Sequence, residues 1–212
     1  MKLFRSAKIT KEAENSVLVI GNFDGVHLGH QSVINYARKI AKKKKKMLSV
    51  LTFEPHPKCF FASRYHGFRL TPFKKKFELL RNLGVDFYIN IFFSKSFAKI
   101  SSEDFIFKIL NESLKVNHVI TGFDFVFGYK QKGNVDLIKK ISFNKKIFDF
   151  SVVDDFKKDS EIKISSSEIR KYLIRGKVEE VENLLGRRWS VKSRVKRGMK
   201  IGSEIGFPTA NL

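Results

Sequence analysis

The 212-residue sequence predicts an α/β fold built on a parallel, doubly wound sheet. Short apolar runs alternate with amphipathic helical segments, and the first run ends in a glycine turn that opens directly into a helix. Hydrophobic residues make up 42% of the chain, enough for a buried core. A strand that returns through a helix re-enters the sheet in the same direction, so such an alternation implies parallel pairing with helices on both faces.

The elements follow in order. Val17, Leu18, Val19 and Ile20 form a short buried strand. After the turn, Val33, Ile34, Ala37, Ile40 and Ala41 recur at helical spacing, and the lysine run 42–46 closes that helix, where cations suit the negative end of its dipole. Residues 47–53 read as a strand, 71–83 as a helix and 86–92 as a strand. Between the first two, Pro55-His56-Pro57 makes a rigid bend, because proline fixes φ and disfavours helix before it. Residues 102–114 are helical, with Phe105, Ile106, Ile109, Leu110 and Leu114 in helical period and Ser102 as N-cap. Strands at 117–121 and 147–153 flank a short helix around 135–142. Residues 155–163 read as a polar loop. A helix then runs from the serine triplet to about Ile174, with Gly176 as its cap, and a last one spans 178–185 before Gly186.

The turn after the first strand, Gly21-Asn22-Phe23-Asp24-Gly25-Val26-His27-Leu28-Gly29-His30, reads as a place where phosphate is held and transferred. Helix N-terminal amides attract an anion, and glycine lets the backbone approach it closely. In H-x-G-H the two rings stand three residues apart, on one face of the first turn. Such a pair could bind metal, stabilise a transferring phosphate, or merely cap and pack. A structural zinc site is not expected, because five histidines and the single Cys59 include no C-x-x-C pair. A second anion cradle is expected where Ser165, Ser166 and Ser167 open a helix with Arg170 one turn in, although simple capping accounts for one serine. The aromatic segment 122–128, with Asp124, Phe125 and Phe127, fits a packed loop or a planar-ligand pocket equally. His56 could face substrate or serve only the bend.

Five segments in order carry a resemblance: Gly21 to Gln31 (GNFDGVHLGHQ), Thr52-Phe53-Glu54-Pro55-His56-Pro57, GFDFVFG at 122–128, ISSSEIR at 164–170 and GFPTANL at 206–212. Together they resemble the bacterial bifunctional riboflavin kinase/FAD synthetases, whose adenylylating half belongs to the HxGH nucleotidyltransferase superfamily. The resemblance implies a Rossmann-like adenylyltransferase module over 1–185 and the start of a β-barrel riboflavin kinase module over 186–212. It implies transfer of AMP from ATP to FMN, giving FAD and pyrophosphate with Mg²⁺ as cofactor. By position, His27, His30 and Arg170 are the catalytic residues; Gly21, Asn22, Phe23, Asp24, Gly29, Ser165, Ser166 and Ser167 contact ATP. Pro55, His56, Asp124, Phe125 and Phe127 line the flavin or nucleotide pocket, and Thr209 and Asn211 match metal- and nucleotide-binding positions of the kinase half. Asp24 is expected to orient another motif residue or the metal. Ser167 replaces the family's threonine but keeps a hydroxyl, and Phe123 replaces a polar residue often found there. The sequence stops before the remaining barrel strands and the acidic kinase base, so kinase activity is expected of the full-length relatives and not of this chain.

Composition alone points elsewhere. A net charge of +21 is the footprint of a polyanion binder. Lysine nevertheless outnumbers arginine by 31 to 11, is spread along the chain, and accompanies no nucleic-acid-binding signature. The 22 phenylalanines fall mostly in strands and helices and read first as core. No specific nucleic-acid partner is expected; ATP and FMN are. No apolar run approaches a membrane span and no signal segment precedes the first strand, which places the protein in the cytoplasm. Cys59 reads as a structural thiol. Oligomeric state leaves no trace in the sequence. Two other readings remain: an HxGH enzyme with a different acceptor, and a non-enzymatic polyanion binder.

Overall fold

The computed structural model describes residues 1–61, 69–154 and 164–190. Six parallel strands form one sheet in the order β1-β4-β3-β2-β5-β6, with β1 at Lys2–Phe4, β2 at Val17–Ile20, β3 at Leu48–Glu54, β4 at Phe87–Phe92, β5 at His118–Gly122 and β6 at Asp149–Val153. From β2 the chain passes to β3 on one side, and β5 joins β2 on the other. The reversal of strand order therefore falls beside β2, and its carboxyl end opens onto the crevice where such sheets bind ligands.

Alternate strand residues feed two helical layers. Val17, Val19, Val50 and Ile120 pack with Ile34 and Ala37 of α1 (Leu28–Lys44) and with Leu80 of α3 (Phe73–Asn82). On the opposite face, Leu18, Ile20, Leu51 and Val119 pack with Ile106, Leu110 and Ile138. Covered on both faces, β2 is apolar at all four positions, and none is more than 2% exposed. A third cluster joins α6 (Ser166–Ile174) and α7 (Val178–Leu185) to Leu70 and Ile164.

The expected α/β layout is present, with local differences. The edge strand β1 carried no readable signal, because three residues of mixed polarity show no period. Pro57–Phe61 forms a further short helix, α2, after the Pro55 bend. The helix expected over 102–114 begins as α4 (Ser102–Asp104) and widens into a π-helix over Phe105–Ser113, seen in the i→i−5 bond from Leu114 N to Ile109 O at 2.9 Å. Its N-cap is Ser101, whose hydroxyl accepts from Asp104 N at 2.9 Å. Ser102 is instead buried against Gly128, where a Cβ would lie 2.4 Å from its Oγ. Helix α5 runs over Val135–Lys145. The expected loop at 155–163 and the kinase-type residues Thr209 and Asn211 lie outside the described residues.

Candidate active site

The turn leaving β2 is strained and held on both sides. Phe23 and Val26 have φ of 47° and 44°, a region β-branched valine rarely enters, and Gly25 has φ of 88°. Burial holds them: Phe23 is 3% and Val26 1% exposed, and Gly25 N donates to Thr71 Oγ1 at 2.8 Å. At Gly21 a Cβ would stand 2.9 Å from the Phe23 ring, so only glycine admits that ring.

His27 is the N-cap of α1, its Nδ1 accepting from His30 N at 3.3 Å. That bond leaves the proton of the neutral ring on Nε2. The two imidazoles stack with centroids 3.5 Å apart and planes 19° from parallel, and Phe23 meets the His30 ring edge-on at 5.2 Å. Burial lowers the His27 pKa to about 4 against a smaller opposing pull from Asp24. His30 is pushed well below 6.5, chiefly by burial and further by His27 and Lys76. At neutral pH the pair offers hydrogen-bond donors, not charge.

This has a consequence for stability. His27 binds a proton near pH 6.5 when unfolded and only near pH 4 when folded, so its contribution is intact above pH 6.5 and is lost as pH falls toward 4. His27→Asn keeps a capping oxygen and removes the titration. Urea midpoints at pH 7 and pH 5 are expected to differ less in that variant than in the parent; an equal difference would refute the burial account.

Asp24, left open by sequence between two roles, ties the turn to the second cradle. It is 3% exposed; Leu70 N donates to both its oxygens at 3.1 and 3.2 Å and Thr71 N donates at 3.2 Å. Arg170 Nη2 completes the set as a hydrogen-bonded ion pair. The Asp24 carbonyl accepts from Ser166 Oγ at 2.7 Å. Ser165 caps α6 by accepting from Glu168 N at 3.2 Å, and Ser167 is exposed. Two of the three serine hydroxyls are thus spent within the protein, and Ser167 remains open to solvent. Gln31 fastens α1 to the end of α7, donating to Val26 O and Leu185 O, both at 2.9 Å. Arg187 reaches Gly25 O, and Trp189 Nε1 reaches Leu70 O at 3.1 Å.

The expected pocket residues divide. Pro55 leads into His56, which accepts on Nδ1 from Lys58 N at 3.1 Å. Burial lowers its pKa to about 4, and it feels Asp24, Lys76 and Arg170, so it stands in the field of the turn. The 122–133 loop lies at the end of β5, closed by a bridge between Phe127 and Gly133. Asp124 is exposed, and the half-buried Phe125 stacks on Phe127 at 5.4 Å. Phe127 is 8% exposed and packs on Phe105 at 5.2 Å, as part of the core beneath the loop.

Sequence reasoning missed Lys76. It is 7% exposed and donates to Asn22 O at 2.8 Å. Hidden among Lys74, Lys75 and Lys76, it was marked only by helical phase, since Phe73, Phe77 and Leu80 share its face. The Glu54–Arg69 ion pair nearby was missed as well. Among the described residues no group of three or more His, Cys, Asp or Glu could hold a metal.

A phosphate-type turn at the switch point, a histidine-capped helix and a serine–arginine helix start facing it define a Rossmann-like nucleotidyltransferase domain. The FAD synthetase family model matches residues 9–168, and a riboflavin kinase model matches residues 185–212. The chain belongs to the FAD synthetase family. It is 40% identical over 215 residues to the bifunctional riboflavin kinase/FMN adenylyltransferase of Buchnera aphidicola subsp. Schizaphis graminum, covering all of this chain and 68% of that protein. The Escherichia coli K12 protein of the same name is 34% identical over 214 residues, again with 100% and 68% coverage. In three dimensions the chain resembles a crystal structure described as a macrolide-efflux protein from Streptococcus pneumoniae, with TM-score 0.81 and 29% identity over 99% of this chain and 67% of that one. Among the described residues of this chain, no helix is long and apolar enough to cross a membrane.

Proposed function

We propose that the chain is an FMN adenylyltransferase: a phosphate oxygen of FMN attacks the α-phosphorus of ATP in line, giving FAD and pyrophosphate. The observation that carries this is the joining of the two cradles, His27 and His30 on one side and Arg170 on the other, through buried Asp24. The reaction needs no covalent enzyme intermediate, so catalysis is positioning plus stabilisation of charge on the moving phosphoryl group. His27 and His30, held neutral, donate to the transferring and leaving oxygens. The amides of the turn at Asn22, Phe23 and Gly29 face the nucleotide phosphates, while Gly21, whose own N–H is held by Leu51 O at 3.1 Å, leaves room for the Phe23 ring beneath them; Ser167 and Arg170 hold the triphosphate from α6. Asp24 and Ser166 act by aiming Arg170 and the turn. His56 and Phe125 lie toward the flavin, with Asp124 at its rim.

ATP enters as its Mg²⁺ complex. Asp24 is committed to Arg170 and two amides, so the metal is carried by the phosphates themselves, as is common for magnesium. Residues 1–185 form the adenylylating module and 186–212 the beginning of a kinase module; phosphorylation of riboflavin is not a task of the described residues. ATP-dependent chemistry and an unpaired thiol at Cys59 suit the cytoplasm.

The test is incubation of the protein with FMN, ATP and Mg²⁺, followed by chromatography. FAD and pyrophosphate in equal amounts are expected. Parallel reactions with nicotinamide mononucleotide or pantetheine phosphate should leave those acceptors unchanged. Adenylylation of either, with no FAD, would replace this reading by another acceptor class.

A further inference from the structure

The positive charge facing the turn does not come from its histidines, which burial holds neutral. Arg170 is engaged by Asp24, and Arg69 by Glu54. Lys76 differs. It reaches in from α3, is 7% exposed, and donates one of its three N–H bonds to Asn22 O at 2.8 Å. Among the described residues, no carboxylate lies within ion-pair distance of it. Its neighbours by charge come from every side: Asp24 on the turn, Arg69 beside α3, His30 on α1 and His56 before α2. A buried cation without an ion-pair partner is costly to desolvate, and an arriving anion relieves that cost. The carbonyl of Asn22 fixes where the remaining donors stand, one residue from Gly21 and two from Asp24.

We propose that Lys76 is a substrate-contacting residue of this site, its two remaining ammonium donors taken by a phosphate oxygen of the bound nucleotide. The inference deepens the adenylyl-transfer reading and rests on it. It supplies what the histidine pair lacks, a net charge against the phosphates in a site where water is scarce. The alternative role is a structural clamp that only holds Asn22 in place.

The two roles differ in pH dependence. Burial lowers the Lys76 pKa to about 8; Asp24 opposes the shift and Arg69 adds to it. The charged form, required for phosphate contact, prevails below that value and is lost above it. The kcat/KM for ATP, which reports the free enzyme, is therefore expected to fall as pH rises through about 8. Arginine does not titrate there.

The experiment compares the whole chain with Lys76→Met and Lys76→Arg, measuring kcat, KM for each substrate and the pH profile, with circular dichroism as the folding control. Lys76→Met should lower kcat/KM for ATP about 100-fold, the usual effect of removing one oxyanion donor. Lys76→Arg should recover most of it and lose the alkaline limb. A folded Lys76→Met variant within threefold of the parent, or an alkaline limb that persists in Lys76→Arg, would overturn the proposal. Should the methionine variant fail to fold, the arginine profile decides alone. Calorimetric titration with MgATP separates the two readings. If the parent makes no FAD, adenylyl transfer to FMN is wrong, yet Lys76 still stands if Lys76→Met weakens MgATP binding at least tenfold and falls if binding is unchanged.

Discussion

Replacing His30 by alanine is expected to lower kcat for FAD formation by about 100- to 1000-fold, the range for loss of one preorganised donor to a developing charge. FMN affinity, followed by flavin fluorescence, should stay within a few-fold, because the ring is assigned to the phosphates and not to the isoalloxazine. The fold should tolerate the change. The His30 backbone N–H still caps through His27 Nδ1, and alanine is the best helix former. What is lost is the 3.5 Å stack on His27 and the edge contact with Phe23, a modest packing term. Unchanged kcat in a folded His30→Ala protein would remove the histidine from the chemistry and return the pair to a capping role.

Replacing Asp24 by alanine is expected to have the largest effect on stability. Its carboxylate is buried and meets Arg170 together with the amides of Leu70 and Thr71. Removing one partner of a buried ion pair costs about 3–5 kcal/mol, because the other charge is left uncompensated. A domain of ordinary stability would lose a large part of its folded population. Asp24→Asn keeps an acceptor for the amides and should fall between the two. If the penalty is the stranded guanidinium, Asp24→Ala combined with Arg170→Met should recover part of the stability while remaining inactive. Urea unfolding measures all three. A midpoint for Asp24→Ala indistinguishable from the parent would show that the carboxylate does not hold the two cradles together.

The legible parts of the molecule were those with a local period or a local motif. The buried run Val17 to Ile20, the helical face of Ile34, Ala37 and Ala41, and the glycine-ended α7 could be read because burial on fixed faces imposes those spacings. So could the serine cap of α6, since N-caps use few residue types, whereas the His27 cap stood among several open roles for the pair. What could not be read depends on distant contacts. Asp24 gains its meaning from Leu70, Thr71 and Arg170, up to 146 positions away. Lys76 looks like a surface lysine until the turn closes over it, and the Phe105 ring that packs on Phe127 lies more than twenty positions away. The π-helical stretch left no mark, because its apolar residues satisfy the α period equally well. The high positive charge, by contrast, led away from the site, since most of the described lysines are exposed, whereas Lys76 is buried and reaches the turn.

The most direct measurement of the central claim uses ATP labelled in turn on its α- and γ-phosphates, with FMN as acceptor. Transfer of the adenylyl group predicts that the α-label appears in FAD and the γ-label only in pyrophosphate. A γ-label recovered in the flavin product, or an α-label that never leaves the adenine nucleotide pool, would contradict the account.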